Sequence, residues 1–140
     1  MNDEQRTWLK FTYAWNWFSY HASQRLQAFN FYLIIMGAFA YSYSSLLNKQ
    51  IFKADRIFYI FFFAVSFLFL LLEIRNAHLV DCGRDALDKL ESDLELLGTP
   101  YAIRERDKLR KNDLVNHKFV IRFIYVAVMI ISLLFACAIV

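Results

Sequence analysis

Three long segments of this chain contain no Lys, Arg, Asp or Glu: residues 26–48, 57–72 and 123–140. Charged residues stand at their borders, namely Arg25, Lys49, Arg56, Glu73 and Arg122. A soluble domain of 140 residues that is 59% hydrophobic and 19% aromatic would have trouble covering so much apolar surface. Cysteine is scarce too. Cys82 and Cys137 lie far apart, one in a polar segment and one in an apolar run, which excludes a disulfide framework and a zinc spacing. One proline and three glycines leave no phosphate-binding loop, dinucleotide fingerprint or nucleophile elbow. A cleavable leader is not expected either, because Asp3, Glu4, Arg6, Lys10 and Arg25 interrupt the first 25 residues.

A helix needs roughly 20 mostly apolar residues to cross a bilayer. The first and third uncharged segments meet that length directly, and the second does so with Ile74 and the stem of Arg56. The expected fold is a single-domain, all-α integral membrane protein. Its parts are an N-terminal amphipathic helix (1–25), span one (26–48), span two (57–74), a cytoplasmic helical hairpin (75–117) and span three (120–140). The N-terminal arm and middle segment hold 13 of the 16 basic residues, which puts the N-terminus and hairpin in the cytoplasm and the C-terminus outside. Net charge is only +3, and the middle segment balances ten acidic against ten basic residues, so nucleic-acid binding is not implied.

In the arm, Trp8, Phe11, Trp15, Phe18 and Ala22 recur at spacings of three and four, with Tyr13, Trp17 and Tyr20 beside them. This pattern predicts a helix lying along the inner membrane surface before turning into span one, or packing on a neighbouring subunit. Span one carries a stripe: Gln27, Asn30, Ile34, Gly37, Tyr41, Ser44 and Asn48 share one helix face. Polar side chains in lipid are unfavourable unless paired, so this face must meet protein or water. It is either a helix-packing surface or a pore lining with Ile34 as an apolar constriction. Span two has only Tyr59 and Ser66 as polar groups and reads as the lipid-facing helix.

No breaker separates span two from the charged segment that follows. There Val80, Gly83, Leu87, Leu90, Leu94 and Leu97 form a heptad-like stripe, which needs a partner arm or another subunit. Gly98, Thr99 and Pro100 are the expected helix stop and restart. Span three is basic at its entrance (His117, Lys118, Arg122) and apolar thereafter, with Ser132 and Cys137 as its weakly polar groups.

Chemistry-bearing residues are sparse. His21 and Arg25 lie one turn apart, and Arg75, Asn76 and His78 follow span two. Arg110 and His117 match the loose Arg-x(4–6)-His spacing of metal-free ribonuclease domains of the HEPN type. With nine arginines and three histidines one such match is expected by chance, so no enzyme and no cofactor are expected.

Residues 21–43, HASQRLQAFNFYLIIMGAFAYSY, resemble the opening of the RipA-like family of small bacterial membrane proteins, in which a His-Ala-x-Gln-Arg turn leads into a Phe-Asn-Phe span. Residues 73–91, EIRNAHLVDCGRDALDKLE, resemble that family's segment after span two, with Arg75-Asn76, Gly83, Ala86-Leu87 and Leu90-Glu91. Family members often have an acidic residue near Gly83, where this chain has Arg84-Asp85. The resemblance implies an octameric ring in the bacterial cytoplasmic membrane. It also implies a link to antiviral defence, since the pore-forming accessory protein of some RNA-targeting CRISPR systems is similar.

The expected function is a non-enzymatic, homo-oligomeric ring that forms a channel or perturbs the membrane. Span one would line the lumen, and Arg75, Asn76, His78, Arg110 and His117 would receive a trigger or cytoplasmic protein partner. The alternative is a non-conducting scaffold that anchors a soluble partner. In either case the expected partners are the lipid bilayer and further copies of the chain.

Overall fold

A computed structural model describes residues 2–47, 55–95 and 117–138, and these are almost wholly helical. The helices are α1 (Asp3–Leu47, 45 residues), α2 (Asp55–Asp93, 39 residues) and α3 (His117–Ala138, 22 residues). At 1.5 Å per residue, α1 and α2 are about 67 and 58 Å long.

The start of α1 is a reciprocal cap. Gln5 N–H donates to Asn2 Oδ1 at 2.8 Å, and Asn2 N–H donates to Gln5 Oε1 at 3.2 Å. Asp3 and Glu4 sit in the first turn, where a helix favours negative charge. From there α1 runs unbroken to Leu47. The turn expected between the arm and span one is therefore absent, because neither glycine nor proline stands between residues 2 and 36 to make one.

The other boundary also differs from expectation. α2 ends at Asp93, before the Gly98-Thr99-Pro100 stop, which lies outside the described residues. Leu94 N–H still reaches Leu90 O at 3.0 Å, whereas Glu95 N–H bonds Ser92 O at 3.1 Å. Glu95 adopts a left-handed φ of 55°, which closes the helix as a glycine would. The second hairpin arm falls almost entirely outside the described residues.

The chain divides into two compact units, one from Met1–Arg25 with Arg75–Asn116, the other from Leu26–Ile74 with His117–Val140. The first division falls at the Arg25 border of the uncharged segment 26–48, whereas Glu73, Lys118 and Arg122 belong to the second unit with the segments they flank. In the first unit, Ala14, Ala77, Val80, Gly83 and Leu90 are buried. The α2 stripe from Val80 to Leu90 thus packs against the N-terminal arm of its own chain, while Leu94 is exposed and Leu97 lies outside the described residues. Trp17 Nε1–H donates to the Leu79 carbonyl at 3.0 Å. At Gly83 the helices meet so closely that an added Cβ would lie 3.0 Å from Phe18 Cα, Phe18 Cβ and Trp17 Cδ1.

In the second unit the core is Tyr32, Ile121 and Tyr125, each 1% exposed, with Phe29, Met36, Val65, Phe69, Leu70 and Ile124 around them. Tyr32 and Tyr125 meet edge-on at 4.6 Å. The Tyr32 hydroxyl is 3.0 Å from Ser66 Oγ, which is fully buried. Farther along, the Tyr43 and Tyr59 hydroxyls are 3.0 Å apart, and Phe39 stacks on Phe61 at 4.0 Å. Span two is therefore not uniform around its axis. Tyr59, Val65, Ser66 and Phe69 turn inward, while Ile60, Phe67, Leu68 and Leu71 are exposed.

Candidate functional site

On α1, residues 26–47 present two opposite faces. Phe29, Tyr32, Met36, Phe39 and Tyr43 follow a three-four-three-four spacing and face the other helices of their unit. Gln27, Asn30, Ile34, Gly37, Tyr41 and Ser44 follow the same spacing about 150° around the helix, at 100° per residue. All six are exposed, with Ile34 at 66% and Tyr41 at 79%. A Cβ added at Gly37 would meet nothing within 4 Å. The seventh residue of the stripe, Asn48, lies outside the described residues. Among the described residues nothing covers these six side chains, which leaves both helix packing and a pore lining open to them. The aromatic side chains two places away make the packing contacts within the unit.

The residues expected to receive a trigger are less organised. Arg75 and His78 are exposed and Asn76 is half-buried. His78 Nε2 lies 3.8 Å from Cys82 Sγ, one turn on. Arg110 lies outside the described residues, as does the side chain of His117, the first residue of α3. The ribonuclease-like pair therefore has no described geometry. No cluster of metal-ligating side chains occurs among the described residues.

On the arm, Trp8, Phe11, Trp15 and Phe18 form a ladder with ring centroids 6.1, 6.5 and 6.1 Å apart. Its first three rings are exposed. Trp17 faces His21 at 4.6 Å, and His21 Nδ1 is 3.1 Å from Gln24 Oε1. A groove of about 290 Å³ runs between the arm and α2, lined by Lys10, Tyr13, Ala14, Ala86, Lys89, Leu90 and Asp93. Arg25 and Glu73, which border the uncharged segments, are buried and engaged by other groups.

Sequence reasoning missed the Tyr32–Ser66 and Tyr43–Tyr59 hydroxyl pairs and the Gly83 crossing. For the hydroxyls the signal was available: Ser66 and Tyr59 are the two polar groups of span two, and a polar group at membrane depth needs a partner. For Gly83 the pattern showed a heptad position but not which helix would approach it.

Together these features define an all-helical protein in which two helices, α2 and α3, are long and apolar enough to cross a membrane. Little of their apolar windows is covered within the chain (11% and 17%), unlike the core helices of a soluble protein. α1 is not among them, because the polar stripe and the tyrosines and serines near its end lower its hydropathy. Comparison with protein-family models, with curated proteins and with solved structures finds no match to this chain.

Proposed function

We propose that the chain is a subunit of a homo-oligomeric membrane assembly in which the exposed stripe of α1 meets water or a second copy. In this reading α1 crosses the bilayer with α2 and α3, the N-terminal arm and the second half of α2 stand in the cytoplasm, and the C-terminus is outside. The observation that supports it is the exposed Gln27–Asn30–Ile34–Gly37–Tyr41–Ser44 face. A polar face on a membrane helix is stable only against protein or water, and the helices of its own unit pack on the opposite face. A closed ring satisfies every copy at once, whereas an open array leaves unsatisfied ends. A channel follows if the stripe lines a lumen, with Ile34 as the apolar constriction. The RipA-like resemblance agrees with this reading and adds an eight-subunit ring, a bacterial cytoplasmic membrane and a role in antiviral defence.

A scaffold that anchors a soluble partner is the second reading. The exposed Trp8–Phe11–Trp15 ladder favours it, because these rings are unburied and carried by the part of α1 outside the span. One pair of measurements separates the two. The mass of the protein in lipid nanodiscs should correspond to six or more subunits. Ile34→Asn should then raise the conductance of a planar bilayer, by replacing the dewetting constriction with an amide. A monomer or dimer leaves too little wall for a lumen and removes the channel. A ring that stays closed in both forms, and binds a partner through the arm, is a scaffold.

A further inference from the structure

We propose that Arg122 is a binding site for a phosphate oxyanion, supplied by the headgroup of an anionic phospholipid. The proposal rests on the reading of α3 as a membrane span. Its own observation is separate: Arg122 is half-buried as a residue, and its Nε, covered by neighbouring atoms, has no hydrogen-bond partner among the described residues. A buried charged donor without an acceptor is unfavourable, and leaving it unmade costs more than a typical hydrogen bond gains.

Nothing on α3 can supply that acceptor as an ion. The helix has no acidic residue in its first turn, and its sequence contains no Asp or Glu anywhere. Nor can the helix simply rotate to free the group. Ile121 precedes Arg122 and Tyr125 follows it by three, and both are 1% exposed in the core of their unit. Arg122 is held on the shoulder beside that core.

The chemistry of the missing acceptor follows from the surroundings. A guanidinium presents its N–H groups as a planar fork that matches two oxygens of a phosphate. Lys118 lies one turn earlier on the same face and adds a second positive charge, while keeping an interaction of its own. Phe119 and Phe123 are exposed and stacked at 6.2 Å, offering an apolar surface next to the cation. Arg122 also stands at the border where the uncharged segment 123–140 begins. A cation with a phenyl pair at that border fits a molecule with a charged head and an acyl chain better than free phosphate, which has no apolar part. Two cations on a helix that carries no Asp or Glu favour an anionic headgroup over a zwitterionic one.

The test uses the full chain, stripped of lipid in a non-ionic detergent and examined by native mass spectrometry. Phosphatidylglycerol, phosphatidylcholine and inorganic phosphate are added in turn. The wild type should retain phosphatidylglycerol in preference to phosphatidylcholine, and millimolar phosphate should not displace it. Arg122→Gln should weaken that retention about tenfold, the scale of one charged hydrogen bond. Arg122→Lys, which keeps the charge but not the fork, should fall between. Equal retention by the wild type and Arg122→Gln overturns the site. Displacement by inorganic phosphate overturns the lipid as its source. Circular dichroism checks the fold, and if Arg122→Gln fails to fold, the headgroup preference of Arg122→Lys decides. Flotation with vesicles of the same lipids separates the two readings. Protein that does not float removes the membrane reading and the lipid together; protein that floats without Arg122-dependent retention removes the site alone.

Discussion

Two glycines show how much a single position depends on what lies across from it. At Gly83 a Cβ would meet the Phe18 backbone at 3.0 Å, and a helix backbone cannot yield as a flexible side chain can. Gly83→Ala gains about 1 kcal/mol of helix propensity, and overpacking at a tight crossing costs about 1–3 kcal/mol. The crossing should prevail. The variant is expected to unfold at lower denaturant, and the fluorescence of Trp17, whose indole bonds Leu79 across the same crossing, should report the loss. A midpoint at or above that of the wild type would show that the helices separate without penalty. Gly37 is the opposite case, since nothing lies within 4 Å of its added Cβ. Any cost of a larger residue there must come from outside the described residues. The heptad pattern could place Gly83 on the right face of α2 but could not reveal that Phe18 would be its neighbour.

Among the elements, the helices were legible and their ends were not. Long uncharged or breaker-free stretches force helix, because a membrane span must satisfy its backbone within itself. Ends depend on local competition. α2 stops at a left-handed Glu95 rather than at Gly98, and its last turn carries no basic residue. Both features work against it: a non-glycine residue in that conformation costs about 1–2 kcal/mol, and negative charge at a helix C-terminus is unfavourable. Glu95→Gly is therefore expected to raise stability by about 0.5–1 kcal/mol, after the greater chain entropy of glycine is deducted. Glu95→Gln should recover only the electrostatic part. Denaturant midpoints of the two variants test the assignment, and equal midpoints would mean that the backbone conformation carries no cost. The Asn2–Gln5 cap at the start of α1 is an exception, because Asn-x-x-Gln carries its own local signal for a helix start.

At the scale of the whole molecule, the question is what covers the α1 stripe. If further copies do, a residue that is harmless in one chain becomes disruptive in the assembly. Gly37→Leu should leave helix content unchanged and lower the oligomer mass in nanodiscs. An unchanged mass would place Gly37 away from every subunit contact. Comparing Gly83→Ala with Gly37→Leu thus separates contacts within one chain from contacts between chains.

The sequence by itself determined that the protein is helical, where its uncharged segments begin and end, and which residues of α1 share a face. These are properties of spacing along one helix, and a period of 3.6 residues records them fully. Only the tertiary structure decided which face of α1 is covered and that the α2 stripe from Val80 to Leu90 packs on the arm of its own chain. It also decided that Tyr32 finds Ser66, and that Arg122 Nε is enclosed beside a core without a hydrogen-bond partner among the described residues. Such facts depend on pairing between segments far apart in the chain. A helix with two usable faces carries no local sign of which one its neighbours will take.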